Sequence, residues 1–153
     1  MEQLTEAAFS AALIRLVVGS TVETVKAGPG TGSIFNLHLR TAAGELCHLM
    51  VYCAWKLLQA GHVACTWQDA EENLAAALLA HLGEMVVSAR VSSGGDMVLS
   101  LQSGAELKLF VDSSAQDTPV DEYSSCDYFA QGAESIFSCI RGGFYQEQSK
   151  SSD

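Results

Sequence analysis

GSTVETVKAGPGTGSIFNLHLRTAAGELCHLMVYCAWKLLQAG, residues 19–61, and GEMVVSARVSSGGDMVLSLQSGAELKLFVDSSAQDTPVDEYSSCDYFAQG, residues 83–132, follow one programme. GSTVETVKA from Gly19 aligns with GEMVVSARV from Gly83, then FNLHL with MVLSL, AGEL with GAEL, and YCAWKLLQAG with YSSCDYFAQG. Tyr52 and Tyr123 stand equally far ahead of Gly61 and Gly132. Both stretches alternate apolar and polar residues between glycine-rich turns, the pattern of strands with one buried face. An apolar segment of helical period precedes each. The reading is an α+β fold, an internally duplicated helix plus antiparallel β-meander. Two pseudo-symmetric halves, about residues 4–66 and 67–145, share one barrel-like or sandwich core.

Leu4 to Val18 is expected to be helical, started by Thr5 and ended by Gly19, with Phe9, Leu13, Leu16 and Val17 on one face. The second helix is expected to be capped by Thr66. Asp69, Glu71 and Glu72 suit its positive end, and Leu74, Leu78, Leu79 and Leu82 form its apolar stripe before Gly83. No linker divides residues 1–145, which are expected to form a single domain, because either half alone would bury too little surface. The polar residues 146–153 are expected to be a disordered tail. GPGTGS, residues 28–33, lacks the lysine and the following helix of a phosphate-binding loop and reads as a hairpin turn.

At 48% hydrophobic and 17% charged residues, the chain calls for a large core or a buried self-association surface such as a homodimer interface. The longest apolar run, Ala7 to Val18, is broken by polar residues and too short for a membrane span. Glu2 and Glu6 stand where a secretion leader would carry Lys or Arg, so a cytoplasmic location without a membrane partner is expected. Five cysteines without a C-x-x-C pair suit neither zinc nor a disulfide framework. Reduced, buried thiols are expected, and only Cys65, just ahead of the second helix, is placed for activation.

No G-x-S-x-G, H-E-x-x-H or paired-glutamate pattern occurs, so no catalytic residue, metal or cofactor is assigned. If Ala42 to Gly44 close a tight hairpin, His38 and His48 face each other on adjacent strands, while a one-residue slip would put Leu49 opposite His38. A third metal ligand is missing, and the second half has Ser100 and Leu109 in the corresponding places. A small-molecule carrier or enzyme would gather His38, His48, Cys47 and Trp55 around a pocket between the halves. A self-assembling structural subunit is a further reading of the apolar composition.

Charge is the strongest functional signal. The net charge is −10, and from Leu109 to Ile140 there is no Lys or Arg, while Asp112, Asp117, Asp121, Glu122, Asp127 and Glu134 all fall there. Such a field repels nucleic acid and attracts a basic protein. The stretch from Glu106 to Tyr123 is also more than twice as long as its counterpart from Glu45 to Tyr52. Loops added to a rigid framework are where binding collects. In composition and layout the chain resembles the general type of bacterial immunity or antitoxin protein. That resemblance implies a non-enzymatic protein-binding module with Asp117, Asp121, Glu122 and Asp127 docking on Lys or Arg of a basic partner, and Tyr123 or Trp67 as anchor.

Overall fold

The computed structural model describes residues 1–28, 30–111 and 126–148. The chain opens with β1 (Glu2–Leu4) and α1 (Glu6–Val17). Five strands follow: β2 (Thr21–Ala27), β3 (Phe35–Arg40), β4 (Leu46–Val51), β5 (Ala54–Gln59) and β6 (His62–Thr66). Then come α2 (Glu71–Leu79), β7 (Val86–Val91), β8 (Met97–Leu101), β9 (Glu106–Phe110), β10 (Tyr128–Gln131), β11 (Ser135–Ile140) and β12 (Gly143–Gln148). The strands form two antiparallel sheets, seven-stranded sheet A in the order β1-β12-β11-β10-β4-β3-β2 and five-stranded sheet B in the order β6-β5-β9-β8-β7. Neither sheet closes on itself, so the architecture is a sandwich-like α+β fold and the barrel expectation is corrected.

Local signals account for most elements. Thr5 takes an extended backbone and its Oγ1 accepts from Ala8 N at 3.1 Å, which starts α1. The helix buries Phe9, Ala12, Leu13 and Val17. The second helix begins later than the sequence predicts. Thr66 stays in β6 opposite Lys56, and Ala70 holds the N-cap position with no side-chain bond. Leu74 and Leu78 are buried, but Leu79 and Leu82 are 45% and 46% exposed, since α2 ends at Leu79 and cannot carry the apolar stripe further. The GPGTGS turn joins β2 to β3, with Gly28 N donating to Thr31 Oγ1 and Gly32 N to the Glu71 carboxylate, both at 2.8 Å.

Pairing between the halves builds both sheets. β5 leaves β4 through Tyr52 and Cys53 and pairs with β9, while β10 pairs with β4. Each half therefore completes the sheet begun by the other. α1 packs on β7, β11 and β12, and α2 on β2 and β6, so each helix touches both sheets. One hydrophobic cluster joins helices and sheets, including Phe9, Leu13, Phe35, Trp55, Leu99, Leu107 and Tyr128.

The starts of β2 and β7 close one side of the sandwich. Thr21 bridges Met85, flanked by Gly19 N to Val86 O and Gly83 N to Val22 O, both at 2.8 Å. Val86 N donates to Ser20 O at 2.8 Å and Val22 N to Glu84 O at 2.9 Å. Exchanging the two strands turns each bond into its counterpart. Both strands then shift register, between Val22 and Thr24 and between Val86 and Ser88. A similar correspondence links two buried aromatics: Trp55 Nε1 donates to Ser33 O in the β2–β3 turn, and Tyr128 OH to Gly95 O in the β7–β8 turn, each at 2.8 Å.

Two details depart from the alignment of the halves. Glu45 lies in the turn ahead of β4, whereas Glu106 is the first residue of β9. The residue opposite Ser100 is thus Glu106, and Leu109 is buried between Met97 and Trp55. At the far end, β12 takes in residues 146–148 of the expected tail and pairs with both β11 and β1.

Candidate functional site

Alternation along β3 and β4 separates two chemistries. Phe35, Leu37, Leu39, Cys47, Leu49 and Val51 point into the core, leaving Asn36, His38, His48 and Met50 on the outer face of sheet A. The hairpin is tight, closed by Thr41 N to Glu45 O at 2.8 Å and Gly44 N to Thr41 O at 2.9 Å. His38 consequently pairs with His48, with ring centroids 4.3 Å apart and planes at 74°. Partial burial holds the His38 pKa below the usual histidine range, assisted by the charges of His48 and Lys26 and opposed by Glu23. Asn36 Oδ1 and His38 Nε2 are enclosed without a hydrogen-bond partner. Among the described residues no three His, Cys, Asp or Glu side chains converge as a metal site.

The proposed pocket set is not brought together. Cys47 and Trp55 are fully buried on the core side, across the sheet from the histidine pair. Trp55 meets Phe35 edge-on at 5.0 Å, and Cys47 Sγ lies 3.7 Å from Leu16 O. Side-chain alternation forbids one cavity lined by neighbouring residues 47 and 48 of the same strand. The small-molecule reading thus loses the residues on which it rested.

Thiol chemistry is disfavoured in the same way. Burial pushes Cys47 and Cys65 up to about 11, with Asp69 adding to the effect at Cys65. Burial first, and the Asp127 charge second, raise Cys53, Cys126 and Cys139 to about 12. All five are therefore neutral thiols near pH 7. Cys65 does not sit at a helix N-terminus, because α2 starts only at Glu71.

Of the acidic candidates, Asp117, Asp121 and Glu122, with Tyr123, lie outside the described residues. Asp127 is a structural tie: its carboxylate accepts from Arg141 N at 2.7 Å, and its carbonyl accepts from Tyr52 N and Cys53 N at 2.9 and 3.0 Å. Trp67 is 42% exposed just beyond β6, and its backbone N–H donates to Trp55 O. The chain's turn out of sheet A at Tyr52 creates a surface cleft of about 460 Å³ lined by Tyr52, Cys126, Asp127 and Phe129. Tyr52 is 44% exposed and its ring centroid lies 6.4 Å from that of Phe129. The sequence reading used Tyr52 only as a marker of the repeat and did not single it out as a surface residue. The signal that could have found it is parity: Val51 faces inward, so the next residue faces out.

No protein-family model, curated protein or solved structure matches this chain. The site therefore has to be read from its own geometry. No helix among the described residues is long and apolar enough to cross a membrane.

Proposed function

We propose that the protein is a non-enzymatic, cytoplasmic protein-binding module of the bacterial immunity or antitoxin kind, docking on a basic protein through an acidic surface. The observation that carries this reading is the exposed Tyr52 ring beside the partly buried Phe129 at a cleft next to Asp127. Large rings next to a concavity are the side chains that anchor protein interfaces. By sequence, the same corner adjoins the stretch that holds Asp112, Asp117, Asp121 and Glu122 and has no Lys or Arg. Charge of that density speeds encounter with a basic surface and leaves residence time to the buried anchors.

We further read the scaffold as a duplication. Its support is the recurrence of bonds around Thr21 and Met85 and of the aromatic ties from Trp55 and Tyr128. On this reading the Tyr52–Cys53 junction and residues 111–127 are equivalent joins, and the second carries the added, functional material.

The test starts with immobilised protein, a bacterial extract at low salt and elution by a salt gradient. The retained protein is then purified and its binding kinetics measured. Asp121→Asn with Glu122→Gln is expected to slow association and flatten its salt dependence, and Tyr52→Ser with Phe129→Ser to speed dissociation. Retention of no basic protein, or unchanged kinetics in both variants, would reject the proposal.

A further inference from the structure

The outer face of sheet B concentrates positive charge. Arg90 pairs with Val98, Val98 with Lys108, Lys108 with Lys56, and Lys56 with Thr66, so these residues form one row across five strands. Their strand neighbours Ala89, Leu99, Leu107 and Leu57 are buried, which turns the row outward. The protein has eight basic residues against 18 acidic ones, yet Arg90, Lys108 and Lys56 share this row.

Lys56 and Lys108 are direct cross-strand partners. Like charges in that position destabilise a sheet, so folding alone would favour a neutral or acidic residue at one of them. Among the described residues, acidic relief on the face is slight. Glu106 meets Arg90 at 3.8 Å, with side chains 35% and 73% exposed. The Lys56 ammonium instead lies 5.4 Å above the ring of Phe110, which is 38% exposed. Val98, within the row, and Leu58, beside it on β5, are only partly buried and add apolar surface between the cations.

We propose that this face docks an extended acidic segment of another protein, one that presents carboxylates at alternate positions. Three inter-strand steps of about 4.8 Å put Lys56 and Arg90 about 14 Å apart. An extended peptide places alternate side chains about 6.7 Å apart, so the outer two of three same-face carboxylates, about 13 Å apart, reach Arg90 and Lys56, and the middle one leans about 3 Å along the row toward Lys108. The intervening side chains of such a peptide point away from the sheet, while the stems of its carboxylate side chains pass over Val98 and Leu58. Nucleic acid fits less well. Three cations neutralise few phosphates, and the net charge of −10 repels the remainder of a polyanion. The inference is independent of the docking reading above, whose described residues Tyr52, Asp127 and Phe129 lie beside β4 and β10.

The test uses the full chain and a fluorescein-labelled ten-residue peptide of alternating Glu and Val, read by anisotropy at low salt. A Gln-for-Glu peptide and an oligothymidylate of equal charge serve as comparison probes. The acidic peptide is expected to bind wild type, and to bind Lys56→Gln with Lys108→Gln about tenfold more weakly. Binding should be unchanged in Arg15→Gln, which removes an exposed cation on α1. The double variant should melt no lower than wild type, because it relieves a repulsion, so lost binding would not reflect unfolding. Absence of binding to wild type, equal binding by the double variant or the Gln peptide, or equally tight binding of oligothymidylate would each overturn the proposal.

Discussion

At the scale of single residues, His38 stands in a setting that opposes protonation. Burial is the largest cause, followed by the charges of His48 and Lys26. Its pKa in the folded protein is therefore below its ordinary value of 6.5, and below that value the unfolded chain binds the proton more readily. The sign follows from linkage. His38 costs no stability above the ordinary histidine pKa, and stability falls as pH drops from there toward the lowered value. Denaturant midpoints measured at about pH 7.5 and about pH 5 should fall further for wild type than for His38→Gln. Equal losses would assign the acid sensitivity to other groups. The unpartnered Nε2 has the same origin, since the His48 ring occupies one side of His38 and offers it no bond.

At the scale of elements, α2 has a defect that can be repaired. Ala70 occupies its N-cap position with φ −59° and ψ 141° but offers no side-chain acceptor to the first N–H groups of the helix. Ala70→Asp should stabilise the protein by about 0.5–1 kcal/mol, read as a raised denaturant midpoint at unchanged slope. An unchanged midpoint would mean that those groups are already satisfied. The sequence put the cap at Thr66 because Thr, Asp and Glu follow the usual order there. Thr66 is instead retained by its ladder position opposite Lys56, and Asp69 turns back to accept from Thr66 N at 3.1 Å. The same division runs through the fold. Strands with strong alternation and tight turns were legible, whereas the sequence left two registers open for His38, opposite His48 or opposite Leu49, and the tight local hairpin selects the first. β1 and β12 were not legible: EQL and GFYQEQ are short or polar, and only long-range pairing makes them strands. The match of Trp55 to Cys126 missed Tyr128, which makes the corresponding tie, because it was counted back from Gly61 and Gly132, and Trp55 stands six residues before its glycine but Tyr128 only four before its own. The candidate pocket failed because side-chain parity places residues 47 and 48 on opposite sides of a sheet.

At the scale of the whole molecule, the decisive feature is that neither half owns its strands. β5 and β6 extend the sheet of β7, β8 and β9, and β10 to β12 extend the sheet of β2, β3 and β4. A cut between Trp67 and Gln68 leaves the first fragment with β5 and β6 but without β9, and the second with β10 to β12 but without β4. Each would expose inward-facing apolar surface, including Leu57 and Trp55 in the first and Tyr128 and Ala130 in the second. Burial per residue at fragment size is already marginal, so the loss of a pairing partner should prevent folding. Fragments 1–67 and 68–153 should each lack dispersed amide NMR signals alone and regain them when mixed, with a one-to-one complex in light scattering. Either fragment folding alone as a monomer would show that strand exchange is not what holds the halves together. Reconstitution would place the determinants of stability in the β4–β10 and β5–β9 ladders and the aromatic ties of Trp55 and Tyr128. The outer faces, with the Tyr52 corner on sheet A and the lysine row on sheet B, would then be free to vary with what they bind.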